Sequence, residues 1–290
     1  MNSNFVVLVL GSVQDGGYPH IGCREACCQH AWKDASKRRL VSSLAIIDRS
    51  LNECWIIDAS PDIKFQINMI SDFLGIDTHP KIMGIFLTHA HSGHYSGLLD
   101  LGKEALNISN TKLYVMPQMY DFIKSNSAFD FLIKSNNLCL ELIENSQILI
   151  LKEGLSIAPF LVPHRNEMSE TVGYRIASNE KSVIYLPDID SWEDWAQNIS
   201  NVVKNNDILF IDGTFYDKDE LQNRKVSEIP HPFITDTLDR LSSLSERDRK
   251  KIFFTHLNHT NNLIQKDHPR KKALDLDGYN VAQDGHFFYI

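Results

Sequence analysis

Three histidines, His89, His91 and His94, fall within six residues in "IFLTHAHSGHYSGLLDL", directly after an apolar run that reads as a buried strand. His89 and His91 are two positions apart, so on extended backbone they project to the same side. The small pair Ser92-Gly93 then lets the chain turn so that His94 faces the same point. Imidazoles gathered this densely suit a metal ion, with zinc as the default and iron or manganese as alternatives. Other polar residues stand where strand-like runs end: His164 in "LVPH", Asp188 in "VIYLPDID", Asp212 in "FIDGTF" and His256 in "IFFTH". Strand ends on one edge of a sheet can converge, so these residues are candidates for a single site. A second cluster, "GCREACCQHAW", places Cys23, Cys27 and Cys28 close together. Such a trio is either three of the four ligands of a structural zinc or a set of buried free thiols. Cys54 and Cys139 lie in apolar strand-like runs and read as inert core thiols.

The elements that must carry these residues are legible from hydrophobic runs. Val-, Ile- and Leu-rich strands are expected at "FVVLVLGS", "SSLAIID", "CWIIDAS", "IMGIFLTH" and "KLYVMP". They recur at "QILILKE", "LSIAPFLVPH", "TVGYRIAS", "SVIYLPDID", "DILFIDGTF", "KIFFTH" and "HFFYI". Helices are expected in "SPDIKFQINMISDFLG", closed by Gly75, in "SWEDWAQNISNVVKN" from Ser191, and in "PFITDTLDRLSSL". Strands cluster early and late with helices between, the pattern of two sheets faced by helices in an α/β (α+β) chain. No fixed-period repeat or low-complexity linker divides the 290 residues, which favours one domain over residues 1–290.

The formal net charge of −8 argues against a general nucleic-acid or lipid-surface binder, and no run approaches a membrane span. The N-terminus lacks the basic start and long apolar run of a signal peptide, so a reducing cytoplasm is the expected setting and disulfides are not expected. A small-molecule substrate, including a phosphorylated one, is compatible with this charge, and a homodimer is the commonest assembly to expect.

The motif "THAHSGH" resembles the H-x-H-x-D-H signature of the metallo-β-lactamase superfamily, and the matching pieces follow in order. "LVPHRNEMSETVGYRI" resembles the segment of the next histidine, "VIYLPDID" that of the bridging aspartate, and "IFFTHLNHT" the C-terminal histidine motif. The opening "GSVQDGGYPHIGC" with "DASPDIKFQI" is similar to the PQQ-biosynthesis protein B family. The cysteine cluster resembles the cyclic-phosphate phosphodiesterase of the carbon–phosphorus lyase pathway. These resemblances imply a four-layered αββα sandwich with a metal site at one edge. Implied ligands are His89, His91, His164 and Asp188 for a first metal, and His94, His256 and shared Asp188 for a second. The family places a metal-binding aspartate where this chain has Gly93, so the second position is expected to be weakened. The resemblance also implies a structural zinc on Cys23, Cys27, Cys28 and His259, although Glu25 stands where that family has its middle cysteine.

The implied chemistry is hydrolysis by a metal-activated water, whose pKa near a zinc falls to about 7. Asp188 would orient that water, and Asp212 would orient a ligand histidine from behind. His231 in "EIPHPF" is a candidate to stabilise substrate or protonate a leaving group, while Asp190 is a candidate helix cap. A phosphodiester, such as a cyclic phosphate, is the leading substrate class. The competing readings are an iron-dependent oxidoreductase or biosynthetic protein like PQQ-biosynthesis protein B, and a non-catalytic metal sensor.

Overall fold

The computed structural model describes residues 4–221 and 231–290. Among the described residues, fourteen strands form two seven-stranded sheets. The first sheet contains β1 (Phe5–Gly11), β2 (Ser43–Asp48), β3 (Glu53–Ile57), β4 (Lys81–Phe86), β5 (Thr111–Val115) and β6 (Leu138–Leu142). The second contains β7 (Leu149–Lys152), β8 (Leu155–Leu161), β9 (Val172–Ser178), β10 (Ser182–Leu186), β11 (Ile208–Asp212), β12 (Ile252–Thr255) and β13 (Asn280–Val281). The last strand, β14 (Phe287–Tyr289), returns to the first sheet beside β1, giving orders β14-β1-β2-β3-β4-β5-β6 and β13-β12-β11-β10-β9-β8-β7.

The near-continuous apolar runs are explained by burial on both faces. Along β1, Val7 and Val9 point into a core shared with Tyr174, Tyr185 and Phe210 of the other sheet. Val6, Leu8 and Leu10 point the opposite way, into a core with Ile63, Ile67 and Ile70 of the helix Ile63–Leu74. In β10, Val183 and Tyr185 face the inter-sheet core, whereas Ile184 and Leu186 face a third core with Trp192, Trp195 and Ile234. Three apolar layers separating four structural layers define the αββα sandwich. Along the parallel ladders β3–β4–β5–β6 and β10–β11–β12–β13, strands end on the same side of their sheet. That common edge holds the loops bearing the polar residues.

Helix Ile63–Leu74 ends as the sequence suggests, on Gly75 in the left-handed region at φ 68°. The helix expected from Ser191 does not begin there. Only Ile199–Lys204 is helical, capped by the Asn198 side chain. Trp192 and Trp195 explain the difference: both are buried, with indole N–H groups donating to Thr237 Oγ1 at 2.9 Å and to the Leu161 carbonyl at 3.0 Å. Cys54 is buried as expected, but Cys139 is exposed because β6 is an edge strand. Among the described residues, no helix is long and apolar enough to cross a membrane.

Candidate metal centre

His89 stands three positions beyond the end of β4, and the short helix Ser92–Tyr95 brings His94 back beside it. His91 Nδ1 lies 2.8 Å from His89 Nε2 and 3.3 Å from His164 Nε2. These three rings form one possible ligand group. Burial, together with the other histidines, keeps His89 below its ordinary pKa and brings His91 down to about 4, leaving neutral imidazoles able to donate lone pairs. A second group gathers His94, His256 and Asp15. Asp188, just past β10, stands between the two: its carboxylate is 3.3 Å from His94 Nε2, 3.5 Å from His256 Nδ1 and 3.9 Å from His164 Nε2.

The outward nitrogens of several rings are already engaged, which fixes the orientation of each ring. His94 Nδ1 faces Asp58 at 2.8 Å, His164 Nδ1 faces Asp190 at 2.7 Å, and His89 Nδ1 lies 3.0 Å from Thr88 Oγ1. Burial opposes charge on His94, but Asp58, Asp15 and Asp188 outweigh it and raise its pKa. Burial would likewise raise Asp188, but the surrounding histidines hold it below the usual carboxylate range. His94 Nε2, His256 Nε2, Asp15 Oδ1 and Asp188 Oδ2 are all buried without a hydrogen-bond partner among the described residues. Such groups are costly when left bare. Their convergence, with imidazole and carboxylate donors, fits a zinc-type cation.

Several expected roles change in the structure. Asp190 orients His164 and caps no helix. Asp212 accepts from His231 Nδ1 at 2.7 Å, and reaches a candidate ligand, His256, only through Thr214, whose hydroxyl lies 3.0 Å from His256 Nδ1. His231 is therefore the ring that Asp212 positions, and it packs 5.4 Å from His164 and 6.0 Å from His256 by ring centroids. Residues 222–230, including the Glu228-Ile229-Pro230 flank of His231, lie outside the described residues. Gly93 does not leave its side of the centre without a carboxylate, because the Asp15 carboxylate stands against it. Asp15 and Asp58 are the residues sequence reasoning missed. Asp58 carried a signal, ending the run "CWIID", and its φ of 68° marks a strained non-glycine position, as does φ 59° at His256.

The cysteine cluster forms a second, separate group. Cys23 Sγ is 3.7 Å from Cys27 Sγ, Cys27 Sγ is 4.0 Å from Cys28 Sγ, and His259 Nδ1 lies 3.6 Å and 3.5 Å from Cys27 and Cys28. A tetrahedral zinc with ordinary bond lengths places such atoms roughly 3.5–3.8 Å apart. No disulfide joins these sulfurs. Burial and the neighbouring thiols push Cys28 up to about 12, so a cation is what would stabilise thiolates there.

Fold and centre together define an αββα sandwich whose candidate metal ligands come from loops at one sheet edge. Residues 55–257 match the β-lactamase superfamily domain, and the chain belongs to that family. It is 27% identical to coenzyme PQQ synthesis protein B of Methylobacterium sp. (strain 4-46), over 96% of this chain and 97% of that protein. The solved structure of Zn(2+)-bound PqqB from Methylobacterium extorquens superposes with a TM-score of 0.82 at 24% identity, covering 98% of this chain and all of that one. A diphosphatase of the PhnP family superposes with a TM-score of 0.70 at 23% identity, over 99% of this chain and 98% of its own.

Proposed function

We propose that the protein is a metal-dependent hydrolase acting on a small phosphodiester, with a cyclic phosphate as the leading candidate. The observation that carries this reading is the convergence of buried, unpartnered ligand atoms on a cavity that also presents an arginine. The cavity, about 330 Å³, has Asp188, His256, Tyr95, Arg165 and His231 among its lining residues. Arg165 is the only lysine or arginine among its described lining residues, suited to a single phosphate negative charge. A zinc ion held by the histidines and Asp188 would supply Lewis-acid polarisation and a water of lowered pKa. Asp188 would accept a hydrogen bond from the attacking water, which releases one proton to solvent as it becomes the nucleophile. As that oxygen bonds to phosphorus, the P–O bond to the leaving group breaks and the leaving oxygen takes a proton. His231 is suited to give it: burial opposes its charge, but Asp212, Asp188 and Asp190 outweigh this and raise its pKa.

Relatives named for coenzyme PQQ synthesis align over nearly the whole chain, and this favours a second reading as a biosynthetic protein, for which an iron-dependent oxidoreductase is the form to test. Reconstitution with zinc and with iron, each assayed against a panel of small phosphodiesters, separates the two. Hydrolysis by the zinc form, abolished together with bound metal in His89→Ala and His164→Ala, is the expected result. Oxygen consumption by the iron form, with no hydrolysis by either, would replace the first reading with the second.

A further inference from the structure

Gly93 is not required by its backbone, which lies in the short helix Ser92–Tyr95 without a positive φ. It is required by space. A Cβ at this position would sit 2.3 Å from Asp15 Oδ1, 2.6 Å from its Cγ and 2.8 Å from its Cα. The Asp15 side chain thus fills the volume that a side chain at position 93 would occupy. From there its Oδ1 lies 3.5 Å from His94 Nε2 and 3.6 Å from His256 Nε2.

These separations are unlike the other histidine–aspartate pairs around the centre. His94 with Asp58, His164 with Asp190 and His231 with Asp212 close to 2.8, 2.7 and 2.7 Å, as hydrogen-bonded pairs do. Asp15 holds both rings at the edge of that range, and the three facing atoms have no hydrogen-bond partner among the described residues. Ligand atoms of one ion, bonded at about 2.0–2.2 Å, stand roughly 3.2–3.6 Å apart. The loop holding Asp15 is itself pinned to the His256 segment: Gln14 N–H donates to the Leu257 carbonyl at 3.0 Å, and Leu257 N–H donates to Ser12 at 3.0 Å.

We propose that Asp15, on the loop after β1, is the carboxylate ligand of a second metal position with His94, His256 and Asp188, and that Gly93 is the complementary vacated side chain that admits it. The inference rests on the metal-centre reading above and extends it to two ions. Asp15→Asn keeps the shape and removes the anionic ligand, so zinc titration of metal-stripped protein should show one fewer tight equivalent than the native chain, with the melting temperature nearly unchanged. Gly93→Ala, which pushes Asp15 away, should lose the same equivalent. His89→Ala should instead lose the other one. Crystals of zinc-loaded native protein give a variant-free check: an anomalous peak within bonding distance of Asp15, His94 and His256 is expected. A native chain with a single ion on His89, His91 and His164, and Asp15→Asn titrating identically, overturns the second position while leaving the hydrolase reading intact. No ion at the histidines at all overturns the metal-centre reading itself.

Discussion

At the scale of single residues, the centre depends on carboxylates that touch imidazoles rather than on the imidazoles alone. Asp190 and Asp58 each hold a ring at hydrogen-bond distance, so Asp190→Asn or Asp58→Asn should weaken metal binding by about 10–100-fold without removing a ligand, measurable by competition with a chromogenic chelator. Unchanged affinity in both would mean that the rings are held by packing. Asp212→Asn should act differently, because the ring it holds, His231, lies outside the His89–His91–His164 and Asp15–His94–His256 groups proposed to take the ions. Metal content should persist while turnover falls, most for substrates with poor leaving groups. The histidine cluster was legible in the sequence because its members are close together and lie at strand ends. Asp15 was not, because a carboxylate in "QDGG" becomes part of the centre only when the loop folds against a glycine 78 positions later.

At the scale of elements, two loops are stapled to the sheet edge. The cysteine group joins the helix Ala26–Lys33 and the loop before it to the chain after β12, so it ties the N-terminal loop to the His256 segment. Mild chelation should therefore strip the histidine centre and leave one resistant zinc. Cys28→Ser or His259→Ala should lose that zinc and lower the melting temperature by several degrees, with Cys28 costing more than Cys27 because it is fully buried. A resistant metal retained in both variants would return the cluster to buried thiols. The same N-terminal segment is tied by Asp284, which accepts from Ser12 Oγ at 2.6 Å and from Leu40 N–H at 2.7 Å. Burial raises Asp284 to about 6, against the opposing effects of Ser12, Leu40 and Arg39. The native chain keeps this proton up to about pH 6, whereas the unfolded chain releases it near 3.8. Stability from this group therefore falls as pH rises between those values, and Asp284→Asn should flatten that part of a denaturation-midpoint profile. The strands were legible because most are buried on both faces. β13 escaped because it has only two residues, and β6 was legible only as the strand-like run around Cys139, without its half-exposed edge position. The tryptophan segment misled because Trp192 and Trp195 at helical spacing are instead spent on a loop packed over the outer core.

At the scale of the whole molecule, the αββα architecture followed from an ordered set of motifs spread along the chain, which local periodicity alone did not specify. Periodicity identified two sheets with helices, while the pairing orders and the return of β14 to the first sheet depend on long-range contacts. The chain carries a net charge of −8, so the proposed anionic substrate would be drawn by local groups such as Arg165 and the proposed cation, rather than by the global field. The proposed reaction is the opening of a phosphodiester by water activated at this centre. Turnover of a small cyclic phosphodiester by zinc-reconstituted protein in ¹⁸O-enriched water tests it most directly, read by mass spectrometry of the product. One solvent oxygen incorporated at phosphorus for each ring opened is the expected result. Product without solvent label, or no product from the zinc form while the iron form consumes oxygen, would contradict it.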